Sequence, residues 1–312
     1  MPCPRVHRDL LTSGRLAALV APESRTTLLV VGMAFLFAAC GTVTDSSSSA
    51  PTPSPAALQA VIVGSELLAG DQRFPVGILD QNTPVNDATV HVRAFLFSGT
   101  TAQLKSESYA PFRGAQLEGK GLYVAHLTFD HAGQRGAEIT AQRPDGEHAV
   151  IRLPFTVVAN ATVPAPGQSA PLSHNPTAKD VADISTIDSG QPPDDMHQLS
   201  VADAIAQHRP TLVAFATPAF CTSATCGPLI HGIQSLEPTY RSRLTFIHIE
   251  IWRDFKPDPS KRQLTPQVLE WRLQTDPWVF LIDSKGLIRT RFEGVADADE
   301  LRAAIDKLLA AP

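Results

Sequence analysis

The sequence predicts two domains, an all-β sandwich followed by an α/β domain, and two observations support this prediction. Between residues 58 and 160, apolar and polar residues alternate over several runs, which is the period of half-buried antiparallel strands. Between residues 200 and 312, predicted strands instead alternate with predicted helices, which indicates a mixed sheet with helices on both faces. These two segments and the stretch between them span about 255 residues, more than one domain usually holds.

The N-terminal 39 residues are typical of a bacterial signal peptide. A basic stretch precedes an apolar run over residues 28–39, which is too short for the ~20 residues of a spanning helix. Residues 37–40 resemble the lipobox, in which the cysteine becomes the lipidated first residue of the mature protein, although Phe37 stands where leucine is usual. This resemblance implies lipidation at Cys40. The alternative is an ordinary secretory signal with an incidental cysteine, and either signal places the mature chain outside the cytoplasm, where disulfides persist.

Two stretches of low periodicity divide the mature chain. Residues 40–57 are rich in serine and proline and predict a flexible tether, which would hold the protein to a membrane through the lipid on Cys40. Residues 161–199 contain six prolines and predict either a linker or an extended wrap over a domain surface. The net charge of −5, without a basic cluster, argues against a nucleic-acid partner.

The predicted β-sandwich covers residues 58–160. Asp145 and Gly146 are typical of a hairpin turn before its last strand. The stretch from Gly121 through Tyr123 to Ala125 resembles the Gly-x-Tyr-x-Cys motif of immunoglobulin-type sandwiches, with Ala125 in the place of the cysteine. The resemblance implies an immunoglobulin-like domain. Its sequence shows no nucleophile or metal cluster, so a binding or spacer role is expected.

The segment 200–312 resembles the thioredoxin superfamily in three places. Residues 212–215 look like the buried strand before the active-site loop, residues 226–229 look like the Cys-Gly-Pro-Cys motif, and Pro277 sits where the family places a cis-proline. The resemblance implies an α/β thioredoxin-like domain in which Pro277 shapes substrate docking beside the thiol site. Two departures stand out: Leu229 replaces the second cysteine of the motif, and Ala214 replaces the acidic residue of the strand.

Cys221 and Cys226 are the candidate redox pair. Cys3 lies in the predicted signal peptide and Cys40 is the predicted lipidation site, so these two are the thiols that remain. A helix is predicted from about Cys226, and unpaired amides at a helix N terminus favour a thiolate. Cys226 is therefore the predicted nucleophile and Cys221 the resolving thiol. The predicted function is thiol–disulfide exchange with envelope proteins that carry thiols or disulfides, and no cofactor is expected.

Two alternatives stay open. The first is a non-enzymatic envelope binding protein in which Cys221 and Cys226 form a permanent structural disulfide. The second is copper binding or delivery, with the two cysteines joined by His248, or by Met196 and His197, because Cu(I) selects thiolate, thioether and imidazole ligands. Copper-delivery relatives of the superfamily use a cysteine pair one residue closer. His248 lies in an apolar strand, where a core histidine is the default, and Glu250 is its expected hydrogen-bond partner.

Overall fold

A computed structural model describes residues 58–311, except residues 115, 116, 118 and 224. The predicted signal peptide, Cys40 and the tether lie outside the described residues. Within the part of the chain that is described, no helix is both long and apolar enough to cross a membrane.

The first part of the described chain consists of ten strands. They are β1 (Gln59–Ile62), β2 (Leu67–Leu68), β3 (Gly70–Asp80), β4 (Thr83–Pro84), β5 (Thr89–Ser98), β6 (Thr101–Tyr109), β7 (Phe112–Arg113), β8 (Leu122–Phe129), β9 (Gly133–Gln142) and β10 (His148–Val158). One sheet has the order β1-β3-β8-β7 with β4 beside β3, and the other has the order β2-β10-β9-β5-β6. Neighbouring strands are antiparallel, except that β2 runs parallel to β10.

The two five-stranded sheets share one apolar core. Phe74 and Tyr123 of the first sheet and Val92, Ile139 and Phe155 of the second are buried in the same cluster. Successive side chains of a strand point to opposite faces, so the alternation in the sequence supplies one apolar face to each sheet. The predicted hairpin between β9 and β10 is confirmed by their antiparallel pairing.

The second part of the described chain contains the remaining six strands and four α-helices. The strands are β11 (Thr211–Ala216), β12 (Thr245–Glu250), β13 (Trp252–Arg253), β14 (Gln263–Leu264), β15 (Trp278–Ile282) and β16 (Ile288–Glu293). The helices are α1 (Val201–Ala206), α2 (Cys226–Tyr240), α3 (Pro266–Glu270) and α4 (Ala298–Ala310). A four-stranded sheet has the order β12-β11-β15-β16, with only β11 and β12 parallel, and β13 pairs with β14.

The four-stranded sheet is covered on both faces. Every residue of β11, β12 and β15 is buried. One face packs against α2 and α4, through residues such as Leu229 and Leu301. The other face packs against a cluster that includes Val201 of α1 and Trp271. Because β11 is held from both sides, the loop that follows it starts from a fixed point.

The predicted fold class, a sandwich followed by an α/β thioredoxin-like domain, is wrong. The described residues are mostly β, with several sheets and few helices, and they show no α/β thioredoxin-like domain. Of the α-helices in the described residues, only α2 and α4 are longer than six residues. Helix α3 ends at Glu270, and Arg272, two residues later, adopts a left-handed backbone with a φ of 56°, which does not continue a helix. The alternation of strand and helix signals therefore overstated the helical content.

The proline-rich segment 161–199 packs on the second part of the chain. Val163 and Ala170 join the apolar cluster around Trp271. Trp271 also donates from Nε1 to the hydroxyl of Ser173 at 2.7 Å, and Met196 is buried in the cluster that contains α2 and α4. Of the two roles that the composition allows, these contacts match an extended wrap. The domain boundaries stay a prediction.

Two arginines join the first part of the chain to the second. The guanidinium of Arg73, on β3, contacts both carboxylate oxygens of Glu300 at 2.7 and 3.0 Å and also donates to the carbonyls of Glu293 and Val295. Arg291 pairs with Glu66 at 2.9 Å. These bonds dock the β3 face against the end of β16 and the start of α4.

Candidate thiol site and buried histidine–aspartate cluster

The loop between β11 and α2 carries both candidate cysteines. Cys221 and Cys226 form a disulfide, with their Cα atoms 6.0 Å apart. Helix α2 begins at Cys226, as the sequence predicts. The disulfide therefore lies at the N terminus of a 15-residue helix, directly after a fully buried strand.

The two sulfurs of the disulfide differ in their surroundings. Cys226 is fully buried, whereas Cys221 is partly exposed. The Sγ of Cys221 accepts a hydrogen bond from the backbone N–H of Cys226, with an N–S distance of 3.3 Å, and lies 3.2 Å from the hydroxyl of Ser223. A negative charge at the start of a helix is stabilised by the helix dipole and the free amides. These contacts favour Cys221 as the sulfur that reacts with a partner.

Asp276 lies beside the buried sulfur and was missed in the sequence analysis. Its Oδ2 is 3.7 Å from the Sγ of Cys226. Burial raises the pKa of the Asp276 carboxyl, since a carboxylate is disfavoured away from water. The resemblance to thioredoxins places an acidic residue at position 214, where this chain has Ala214. The only available signal was that Asp276 directly precedes Pro277.

Pro277 follows Asp276 directly in the chain. The peptide bond between Asp276 and Pro277 is cis, as predicted. Pro277 is buried, and its carbonyl accepts a hydrogen bond from the N–H of Gly294 at 2.9 Å. The position of Pro277 is thereby fixed at the start of β15, with the preceding carboxyl near Cys226. Its role in substrate docking stays a prediction.

A second group of polar side chains is buried between segment 161–199 and β12. Asp188, Asp194 and His197 come from the segment, His248 comes from β12, and each is at most 9% exposed. The Nε2 of His197 lies 3.2 Å from Asp188 Oδ2 and 3.2 Å from Asp194 Oδ1. The Nδ1 of His248 lies 2.8 Å from Asp194 Oδ2 and 3.8 Å from Asp188 Oδ2. We call these four residues the His–Asp cluster.

The histidines and aspartates of the His–Asp cluster shift one another's pKa values toward the charged forms. Burial alone would lower the pKa of His248, but the hydrogen bond and charge of Asp194 and the charge of Asp188 raise it to about 9. The pKa of His197 is raised as well, because hydrogen bonds to the two carboxylates outweigh its burial. The same contacts hold the pKa values of Asp188 and Asp194 below their ordinary range despite burial. Without bound metal, the cluster is thus a buried ion-pair network at neutral pH.

The predicted hydrogen bond between His248 and Glu250 is wrong. In the described structure, the carboxylate of Glu250 accepts instead from the backbone N–H groups of Ser189 and Trp252 at 3.0 and 3.2 Å. The side chains at positions 248 and 250 of β12 share a face of the strand. The wrapped segment supplies Asp194 as the partner of His248 and the backbone N–H of Ser189 as a partner of Glu250. The identity of such a partner depends on tertiary packing, which strand spacing does not reveal.

The cysteines and histidines that the copper prediction combined as ligands lie in two separate groups of residues. Among the described residues, the two cysteines converge with Asp276, whereas His197 and His248 converge with the two aspartates. Met196 is buried in the apolar cluster around α2, and its backbone carbonyl accepts a hydrogen bond from the N–H of His248. Copper binding by cysteine and histidine together stays a prediction that these contacts do not favour.

Comparisons with known proteins assign no family to this chain. No protein-family model and no curated protein matches it. Among solved structures, it is similar to the PmoD soluble domain from Methylocystis sp. ATCC 49242 (Rockwell), at 13% identity over 32% of this chain and 90% of that one, with a TM-score of 0.23. Murine CRIg is 13% identical over 33% of this chain and 97% of that one, with a TM-score of 0.21. The fibronectin type-III domain of human fibronectin type III domain containing protein 3 is 11% identical over 36% of this chain and 95% of that one, with a TM-score of 0.21. TM-scores this low support no conclusion about the fold or the function of this chain.

Proposed function

We propose that the protein performs thiol–disulfide exchange through the Cys221–Cys226 pair. The observation that supports this most strongly is the asymmetry of the disulfide at the start of α2. One sulfur is partly exposed and bonded to a helix amide, and the other is buried beside the carboxyl of Asp276. A disulfide that only fastens a loop does not require a partly buried carboxyl with a raised pKa next to one sulfur.

The contacts suggest a sequence of two displacements. In the reduced protein, the Cys221 thiolate attacks a partner disulfide, forms a mixed disulfide and releases the first partner thiolate. Cys226 then gives its proton to Asp276 and attacks the Cys221 sulfur. This step closes the Cys221–Cys226 disulfide and releases the second partner thiolate, which takes up a proton. Two electrons pass from the cysteine pair to the partner, and the reverse sequence oxidises a partner dithiol.

This proposal exchanges the roles that the sequence suggested for the two cysteines. The helix prediction placed Cys226 at the helix N terminus and made it the nucleophile. The amide of Cys226 points to the sulfur of Cys221, and the sulfur of Cys226 is fully buried. A partner disulfide must approach a sulfur from solvent, so exposure favours Cys221. Both assignments are testable with the same pair of variants.

Cysteine-to-serine variants test the function and the roles together. Cys226→Ser is expected to accumulate mixed disulfides through Cys221, because the resolving thiol is gone, whereas Cys221→Ser should trap few partners. In the reduced wild-type protein, Cys221 should alkylate faster than Cys226 and titrate below the ~8.5 of a free cysteine. Mass spectrometry after timed alkylation measures both rates.

Asp276→Asn should slow release from the mixed disulfide but leave the first attack unchanged.

The same experiment separates exchange from a structural disulfide. A structural pair predicts equal and slow alkylation, no trapped partners, and a reduction potential below about −300 mV. That combination of results would rule out the proposal. Preferential trapping by Cys221→Ser would keep the function and restore Cys226 as the nucleophile.

We place this activity on the outer face of a cell membrane, held there by a lipid on Cys40. The proposal rests on the apolar run and the lipobox-like residues 37–40. A Cys40→Ser variant is expected to move from the membrane to the soluble extracytoplasmic fraction, because a single cysteine carries the lipid. Fractionation followed by immunoblotting measures this shift. Retention of the variant on membranes would contradict lipidation.

A further inference from the structure

The His–Asp cluster brings together two imidazole nitrogens and two carboxylates in a space as small as a metal coordination sphere. The four ligand atoms all lie within 4.8 Å of one another. We propose that Asp188, Asp194, His197 and His248 bind a divalent transition metal ion, with Zn²⁺ as the best chemical match. The proposal is independent of thiol exchange, because the cysteines belong to a separate group of residues.

The distances within the cluster suit a tetrahedral site. Asp188 Oδ2 lies 3.2 Å from His197 Nε2 and 3.8 Å from His248 Nδ1. Asp194 faces His197 Nε2 with Oδ1 at 3.2 Å and His248 Nδ1 with Oδ2 at 2.8 Å. Zinc bonds of about 2.0–2.1 Å at tetrahedral angles place neighbouring ligand atoms about 3.3 Å apart. The ligand atoms of the four residues lie within 4.8 Å of one another, so an ion can sit between them after the most distant pairs approach by up to about 1.5 Å.

Groups around the cluster orient the ligands toward its centre. The Nε2 of His248 lies 3.2 Å from the backbone carbonyl of Ala216, so a hydrogen on Nε2 leaves the Nδ1 lone pair facing the carboxylates. A bond of this kind from the second ring nitrogen is usual for metal-binding histidines. Asp188 accepts hydrogen bonds from the N–H groups of Gly190 and Asp194 at 2.7 Å each, and Asp194 accepts from the N–H of Met196 at 2.9 Å. One short loop thus holds both carboxylates.

A small cavity beside the cluster points to a polar occupant. It has a volume of about 50 Å³, and its lining includes His197, His248, Asn175 and Gln267. Within the described part of the chain, Asn175 Nδ2 and Gln267 Oε1 are buried without a hydrogen-bond partner. Their other amide atoms are bonded: Asn175 Oδ1 accepts from the N–H of Val201, and Gln267 Nε2 donates to the carbonyl of His174. The cavity therefore presents a free donor and a free acceptor, which suit water bound near an ion.

Charge and ligand type favour a divalent ion. Two carboxylates with two neutral imidazoles carry a net charge of −2 in a site at most 9% exposed, and a divalent ion neutralises that charge. Imidazole selects transition metals over Mg²⁺ and Ca²⁺, and a closed tetrahedral set of four protein ligands is typical of Zn²⁺. In the alternative state, each imidazole binds a proton instead. The cluster is then an ion-pair network without metal.

The proposal is tested with the oxidised full-length protein, in which the disulfide prevents the cysteines from binding metal. The protein is treated with a chelator, dialysed and titrated with ZnCl₂. We expect one tightly bound Zn²⁺ per chain by calorimetry and elemental analysis. X-ray absorption of the loaded protein should show nitrogen and oxygen ligands, scattering from two imidazoles, and no sulfur.

Two histidine variants locate the site. His197→Gln should weaken Zn²⁺ binding more than ~100-fold, beyond the loss expected for an outer-shell partner alone. His231→Gln removes an exposed histidine of α2 and should bind Zn²⁺ as the wild type does. Circular dichroism checks that each variant folds, and if His197→Gln does not fold, the X-ray absorption spectrum of the wild type decides. Substoichiometric binding, sulfur ligands, or unchanged affinity in a folded His197→Gln variant would each overturn the proposal.

Discussion

An Asp194→Asn variant is expected to lose about 3–5 kcal/mol of the free energy of unfolding in chelator-treated protein. Asp194 contacts both His197 and His248, at 3.2 and 2.8 Å, and is 9% exposed. Asparagine has nearly the same shape but no charge. The substitution removes the one carboxylate of the cluster that lies within 3.2 Å of both buried histidines, and removing one partner of a buried ion pair is among the most destabilising changes in a protein.

Urea denaturation measures this loss, and Asp195→Asn is the matched control. Asp195 is the next residue in the chain and is exposed, so its substitution should change stability by no more than about 0.5 kcal/mol. Chelator is present throughout, because a bound metal ion would add its own stabilisation. A loss below 1 kcal/mol for Asp194→Asn, or equal losses for both variants, would show that the cluster holds no stabilising ion pairs.

The stability of the chelator-treated protein is expected to fall as the pH rises from about 6.5 to about 9. The pKa of His248 is about 9 in the folded protein, against an ordinary value of 6.5. The folded state holds this proton more tightly, so the stabilisation is complete below the ordinary pKa and disappears as the pH passes the folded pKa. Each pH unit between the two values corresponds to ~1.4 kcal/mol, which gives a total of about 3 kcal/mol.

Several charged groups face His248 and affect its pKa. Asp188 and Asp194 approach it from the wrapped segment, Glu250 lies on its own strand, and the ring of His197 lies 5.2 Å from its ring. The pKa values of both aspartates are held below 3.8, so their stabilisation is lost only on the acid side, far from this range. Urea denaturation at a series of pH values should show the alkaline loss in the wild type and a much flatter profile in His248→Gln. An equally steep profile in that variant would assign the loss to other groups.

Local features of this protein follow from short-range patterns in the sequence. The alternation of Ala149, Ile151 and Leu153 predicts β10, and the Asp145–Gly146 turn predicts its pairing with β9. The start of α2 at Cys226 was also predictable, whereas the cis bond before Pro277 was expected only from the resemblance to thioredoxins. The pairing of Cys221 with Cys226 followed from counting the cysteines that remain after Cys3 and Cys40. Each of these depends on neighbouring residues or on a count.

The fold class, the surroundings of the two cysteines and the partners of His248 depend on contacts between residues that are distant in the sequence. Strand and helix signals alternate over residues 200–312, but they do not reveal how short a helix is, and the fold class was wrong for that reason. Asp276 reaches Cys226 across 50 residues, and Asp194 reaches His248 across 54. Spacing along one strand suggested Glu250 as the partner of His248, whereas packing of the wrapped segment supplied Asp194. Exposure of Cys221 and burial of Cys226 likewise arise from packing around the loop, so only the tertiary structure distinguishes the two sulfurs.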